Sequence, residues 1–159
     1  MSDPAVPQEQ EHAVLDLERF LPYRLSVLSN RVSTAISSEY RRRFGLAITE
    51  WRVMAVLGRY PGLSAREVTE RTAMDKVAVS RAVSQLLRDG RVERTFADED
   101  RRRSVLRLSP RGYEVYDQVV PLALEYEHRF LDGIDPADRA ALKRLMDLLM
   151  ERATMLAER

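Results

Sequence analysis

The side chains best equipped for chemistry in this chain are arginines, and they crowd at one point. In ADEDRRRS (97–104) three acids, Asp98, Glu99 and Asp100, run straight into Arg101, Arg102 and Arg103. A guanidinium presents its donors in a planar fork that matches a phosphate or the edge of a guanine. Upstream, the run from Lys76 to Ser84 (KVAVSRAVS) offers a second set of small and polar groups. These groups recognise; they do not react. Groups suited to covalent chemistry are scarce. The chain has no cysteine, which excludes disulfides, thiolate metal sites and cysteine nucleophiles, and its two histidines are His12 and His128. It has no glycine-rich phosphate loop and no Gly-x-Ser-x-Gly elbow. Glu125, Glu127 and His128 lie close enough in sequence to suggest a metal, but the same spacing is that of a solvated helix face, which is the commoner case. The reading is a protein that is not an enzyme and carries no metal or cofactor.

The charge distribution points the same way. The 159 residues carry a net charge of +1, which by itself argues against a polyanionic partner. Divided along the chain, however, residues 1–40 are net −3, residues 41–111 net +8 and residues 112–159 net −4. A basic middle between acidic flanks is the footprint of a nucleic-acid-binding segment. Of the 26 basic residues, all but Lys76 and Lys143 are arginine. Apolar residues make up 45%, enough for a packed core. No apolar run approaches the roughly 20 residues needed to cross a bilayer, and no signal peptide is evident. The expected location is cytoplasmic, with no membrane partner.

These groups need elements to position them. Residues 1–13 hold two prolines and no periodicity, and are expected to form a flexible tail. From Val14 to Phe44 apolar residues recur at helical spacing; Pro22 either starts this helix or kinks it, and Gly45 stops it. Thr49 is expected to cap a second helix, EWRVMAVLGRY, ended by Pro61-Gly62. Ser64 and Glu67 form a capping box for a short third helix to about Thr72. Asp75 caps a fourth, closed by Gly90. Two strands, 91–96 and 103–108, flank a polar loop at 97–102. Ser109-Pro110 opens a fifth helix to about Leu131, bent at Pro121 if anywhere, and Asp135-Pro136 opens a sixth. The fold class is mainly α with a small β-hairpin.

A short helix, a turn and a second helix with small polar residues at its leading end is the helix-turn-helix pattern. The major groove, about 12 Å wide, admits one helix. In the fourth helix Val79, Val83, Leu86 and Leu87 form a packing stripe, leaving Lys76, Val77, Ala78, Ser80, Arg81 and Ser84 free to face DNA. Taken alone, an ordinary amphipathic surface helix explains the pattern equally well. Arg81 is the best candidate for a two-pronged base contact, and Val77 and Ala78 suit thymine methyls. Ser64 and Arg66 are candidates for phosphate contact; simple capping accounts for Ser64 as well, and the two roles are compatible.

The stretches EWRVMAVLGRYPGLSAREV, VAVSRAVSQLLRDGRVER and DEDRRRSVLRLSPRGYEVY, with long helices at both ends, resemble the MarR family of bacterial winged helix-turn-helix regulators. Many relatives have Asp-Pro where this chain has Ala97-Asp98, which leaves the shape of the wing loop open. The resemblance implies a winged helix-turn-helix unit at 47–109, an N-terminal dimerisation helix at 14–46 and C-terminal dimerisation helices at 110–159. It implies a homodimer on a palindromic double-stranded operator, acting as a transcriptional regulator and repressor. In the wing, Asp100, Arg101, Arg102 and Arg103 match the family's pattern, with Asp100 holding Arg102 for the groove. The resemblance also implies a small-molecule effector, an aromatic carboxylate or a related compound, that releases DNA. Candidate ligand-binding residues are Tyr23, Arg24, Asn30, Arg31, Trp51, Arg52 and His128, although Trp51 is more often a core residue and Arg24 and Arg31 more often surface residues. The competing reading is a winged-helix protein–protein module without direct DNA readout, against which the +8 middle segment argues.

Overall fold

The computed structural model describes residues 12–97 and 100–158, with side chains at all of these except 97 and 100–103. Among them the order is α1 (Leu21–Phe44), α2 (Ile48–Arg59), α3 (Ala65–Thr72), α4 (Lys76–Arg88), β1 (Val92–Ala97), β2 (Asp100–Leu108), α5 (Pro110–Phe130) and α6 (Pro136–Ala157). The mainly helical class with a hairpin wing is what the sequence implies.

Local chemistry sets most of the boundaries. Pro22 lies in the first turn of α1, where a missing N–H is harmless, so it starts the helix and does not kink it. Residues 12–20 carry only a turn at 17–19, so the helix expected from Val14 begins seven residues later. Gly45, at φ 62°, closes α1 by donating to the Arg41 carbonyl, and the Leu46 N–H follows onto Tyr40. Thr49 does not cap α2. The helix starts at Ile48, and the Glu50 carboxylate turns back to accept the Ala47 N–H at 3.2 Å. Ser64 and Glu67 form the expected box on α3, Asp75 accepts the Ala78 N–H at 2.9 Å on α4, and Ser109 and Asp135 cap α5 and α6.

The hairpin is longer than the sequence suggests. It pairs Val92 with Leu108 through Phe96 with Ser104, then breaks register between Phe96 and Ala97. Positions 97 and 100–102, expected in the loop, belong to the strands. Leu63 adds a one-residue bridge to Leu106, giving the hairpin a short third edge that periodicity cannot reveal.

The core gathers around α2. Val53, Met54 and Leu57 are buried against Val68 of α3, Val79, Ala82, Val83 and Leu86 of α4, and Leu106 and Leu108 of β2. Burying each such leucine or valine stabilises the unit by roughly 1.5–3 kcal/mol. Tyr40 of α1 and Val119 of α5 extend this core to the long helices. A second set of contacts locks the unit to them. Arg91 donates through Nη2 to the Phe44 carbonyl at the end of α1 (2.6 Å), its N–H bonds Leu86 at the end of α4, and its carbonyl accepts the Ser109 N–H at the start of α5. Its Nε and Nη1 are buried with no hydrogen-bond partner among the described residues. By contrast, α6 contributes no buried residue.

Candidate nucleic-acid interface

The leading turn of α4 and the face of α3 form one concave surface. A cleft of about 480 Å³ is lined by Ala65, Arg66, Thr69 and Glu70 of α3, Lys76, Val79, Ser80, Val83 and Ser84 of α4, and Arg94 of β1. The two helices are joined by the turn 73–75, where Ala73 takes the left-handed conformation at φ 52°. That conformation costs an alanine about 1–2 kcal/mol. The packing stripe behaves as expected: Val79, Val83 and Leu86 are buried, joined by Ala82, and Leu87 is partly buried.

Of the residues expected to face DNA, the structure brings Lys76, Ser80, Ser84 and Arg66 together in the cleft. Val77 (58% exposed) and Arg81 stand free on the outer surface of α4, and Ala78 is half-buried beside its cap. Ala65, Thr69, Glu70 and Arg94 also line the cleft and were not among the candidates; two of these are instructive. Thr69 lies one turn beyond Ala65 on α3, and Arg94 comes from the hairpin. The helical period of α3 could have found Thr69; only the packing of β1 against α4 brings Arg94 in.

The two phosphate candidates are already engaged. The Ser64 hydroxyl donates to Glu67 at 2.8 Å and accepts the Glu67 N–H at 3.3 Å. The Arg66 Nε donates to Glu70 at 3.0 Å in an exposed pair, which is worth little in water and exchanges readily for a phosphate. The side chains of Asp100, Arg101, Arg102 and Arg103 lie outside the described residues.

The ligand candidates scatter. Tyr23, Arg24, Asn30 and Arg31 lie on the exposed N-terminal half of α1, and His128 is exposed on α5. Arg52 reaches from α2 to the Ser33 Oγ of α1 at 2.8 Å. The Trp51 ring lies within ring-contact distance of both Tyr40 (5.6 Å between centroids) and Tyr116 (5.8 Å). A separate cleft of about 290 Å³ between α1 and α5 includes Ile36, Tyr40, Arg43, Tyr126 and Arg129, and none of the seven candidates lines it. Burial, with a smaller contribution from Tyr126, pushes the Tyr40 phenol up to about 12, so it is a neutral donor at physiological pH.

A sequence model of the MarR family matches residues 44–103, from the last residue of α1 into β2. A solved MarR/EmrR family transcriptional regulator from Acinetobacter sp. ADP1 superposes with a TM-score of 0.82 at 27% identity, over 89% of this chain and 99% of the other. Over residues 44–103 the chain matches the MarR family, and its overall fold is that of MarR-family regulators. The matched family model and the relatives point to a DNA-binding transcriptional regulator and not to an enzyme. It is 23% identical over 133 residues to the HTH-type transcriptional regulator BilQ of Clostridium symbiosum (strain WAL-14163), covering 84% of this chain and 92% of that protein. BpsR of Bordetella bronchiseptica, whose DNA binding is regulated by 6-hydroxynicotinic acid, shares the fold with a TM-score of 0.66 at 21% identity, over 80% of this chain and 98% of BpsR.

Proposed function

We propose that the chain is a homodimeric repressor that reads a palindromic operator and releases it when a small aromatic carboxylate binds. The observation that carries the DNA-reading part is the basic cleft between α3 and α4, where Arg66, Lys76 and Arg94 surround Ser80 and Ser84. In this reading α4 enters the major groove, and Arg81 makes the two-pronged base contact. Arg102, steered by Asp100, reaches the adjacent groove with Arg101 and Arg103 beside it. Residues 47–109 form the reading unit, and 14–46 with 110–159 the dimerisation helices. Support for the dimer is the apolar surface left open in one chain: Leu25 and Leu28 on α1, and Leu142, Leu145 and Met146 on α6, are 38–50% exposed. Two copies related by a two-fold axis would cover these faces and set two reading helices about 34 Å apart. No helix among the described residues is long and apolar enough to cross a membrane, which accords with action on cytoplasmic DNA.

The test is a binding titration across salt concentrations on a DNA fragment selected by the wild-type protein. Arg81→Ala and Arg102→Ala are expected to weaken binding by about 1–3 kcal/mol each without changing the melting temperature. Affinity of the wild type should fall steeply with salt. Salt-independent binding, unaffected by either substitution, would instead favour a protein–protein module.

For the effector, the support is regulation of BpsR by an aromatic acid, together with Arg52, half-buried at the junction of α1 and α2. A guanidinium in that position can grip a carboxylate in a bidentate pair. In the dimer Tyr23, Arg24, Asn30 and Arg31 of α1, with Trp51 and His128, would complete the pocket. A panel of aromatic acids at about 100 times Kd should stabilise the protein by about 2.7 kcal/mol, visible as a rise of several degrees in thermal midpoint, and should release DNA. A panel in which no acid does either removes the effector from the reading.

A further inference from the structure

Near the tip of the hairpin stands an aromatic ring that does not join the core among the described residues. Phe96 is 62% exposed, and it is absent from the core cluster and from the residues packed against it. Its place in the hairpin is well defined. Phe96 pairs with Ser104, and the strand register breaks immediately after it. Such breaks bend the strand and re-aim the side chains beside them.

Alternate residues of a strand share a face, so Val92, Arg94 and Phe96 form one row. Val92 is 2% exposed and belongs to the core. Arg94 lines the cleft with Lys76, Ser80 and Ser84. Phe96 therefore stands one pleat repeat, about 7 Å, beyond Arg94 on the same face. The row passes from core to cationic cleft to exposed ring. A complementary partner is anionic where it meets Arg66, Lys76 and Arg94, and presents apolar surface about 7 Å further out. A DNA groove supplies both, because its phosphates are separated by apolar deoxyribose walls.

We propose that Phe96 packs against the deoxyribose wall of the operator beside the groove entered by α4, adding affinity that is independent of base sequence. The proposal rests on the orientation of α4 given above, and continuity with that reading face selects DNA as the occupant.

The experiment compares full-length Phe96→Ala, Phe96→Leu and Arg94→Ala with the wild type on a DNA fragment selected by the wild type, at several salt concentrations. Removing most of an aromatic contact corresponds to about a tenfold loss of affinity for Phe96→Ala. Phe96→Leu keeps much of the apolar area and should stay within about threefold. An apolar contact displaces no counterions, so the salt dependence of Phe96→Ala should equal that of the wild type, whereas Arg94→Ala should lower its slope by about one. The melting temperature should not change. Unchanged affinity for Phe96→Ala overturns the proposal and assigns the ring to a protein partner or a second copy. A loss accompanied by a reduced salt slope overturns it too, because the effect would then pass through the arginines. Should Phe96→Ala melt early, Phe96→Gln decides on the same two criteria. Failure of the underlying reading shows differently, as wild-type binding indifferent to both salt and Arg81→Ala.

Discussion

Replacing Gly112 by alanine is expected to destabilise the protein by about 3 kcal/mol and to lower its thermal midpoint by roughly 6–12 °C. Helix propensity alone predicts the opposite sign, since alanine is favoured over glycine by up to about 1 kcal/mol in a helix. The close approach decides. A Cβ on Gly112 would lie 2.0 Å from the Arg91 carbonyl oxygen and 3.0 Å from its carbon. Those atoms are backbone, and the backbone is fastened. The Arg91 carbonyl accepts the Ser109 N–H at 3.0 Å, and the Arg91 N–H bonds Leu86 at 2.9 Å. The Ser109 hydroxyl donates to the Gly90 carbonyl at 2.6 Å while accepting the Gly112 N–H at 3.0 Å. Making room for one methyl therefore moves the end of α4 or the start of α5, and with Arg91 the end of α1. Thermal denaturation followed by circular dichroism checks this. A midpoint equal to or above that of the wild type would show that the junction relaxes freely.

The second large effect concerns α6. Leu142→Glu with Leu145→Glu is expected to turn the proposed dimer into a monomer and to weaken operator binding at least a hundredfold. The two leucines sit three residues apart on one face of the helix, 46% and 49% exposed in a single chain. In a two-fold dimer two glutamates from each subunit would lie in apolar surface, where an unpaired carboxylate is strongly disfavoured. The reading unit should be untouched, because α6 contributes nothing to its core. Affinity would fall because one reading helix no longer brings the second to its half-site, an advantage worth about 10²–10⁴. Sedimentation velocity and the DNA titration measure the two halves of the claim. A variant that stays dimeric, or a monomer that binds as tightly as the wild type, removes α6 from the proposed interface.

The sequence was most informative where structure is decided within four residues. Ser64 with Glu67, Asp75, Ser109-Pro110 and Asp135-Pro136 marked four helix starts, because a cap is a contact between near neighbours. Thr49 misled for the same reason. It looks like a cap, yet Glu50 bonds the Ala47 N–H and moves the start upstream. Where partners are distant, the sequence said less. Leu63 pairs with Leu106 across 43 positions with no periodic signal around it, and β2 extends back to Asp100 because β1 is there to pair with it. The cleft divides along the same line. Lys76, Ser80 and Ser84 follow from the period of α4, whereas Arg94 enters only through hairpin packing.

Ala73 gives the reading surface an unexpected dependence. A turn built on its preferred residue would hold α3 and α4 at their angle by its own torsional preference. This turn is held against the preference of its alanine, at φ 52°. The angle is therefore dictated from behind, by Val68 packed with Val79, Val83 and Leu86. The aim of the recognition helix is thus a property of the hydrophobic interior. Substitutions at exposed DNA-facing positions are therefore expected to leave the aim intact, whereas a methyl removed from that interior is expected to loosen the turn and weaken DNA binding.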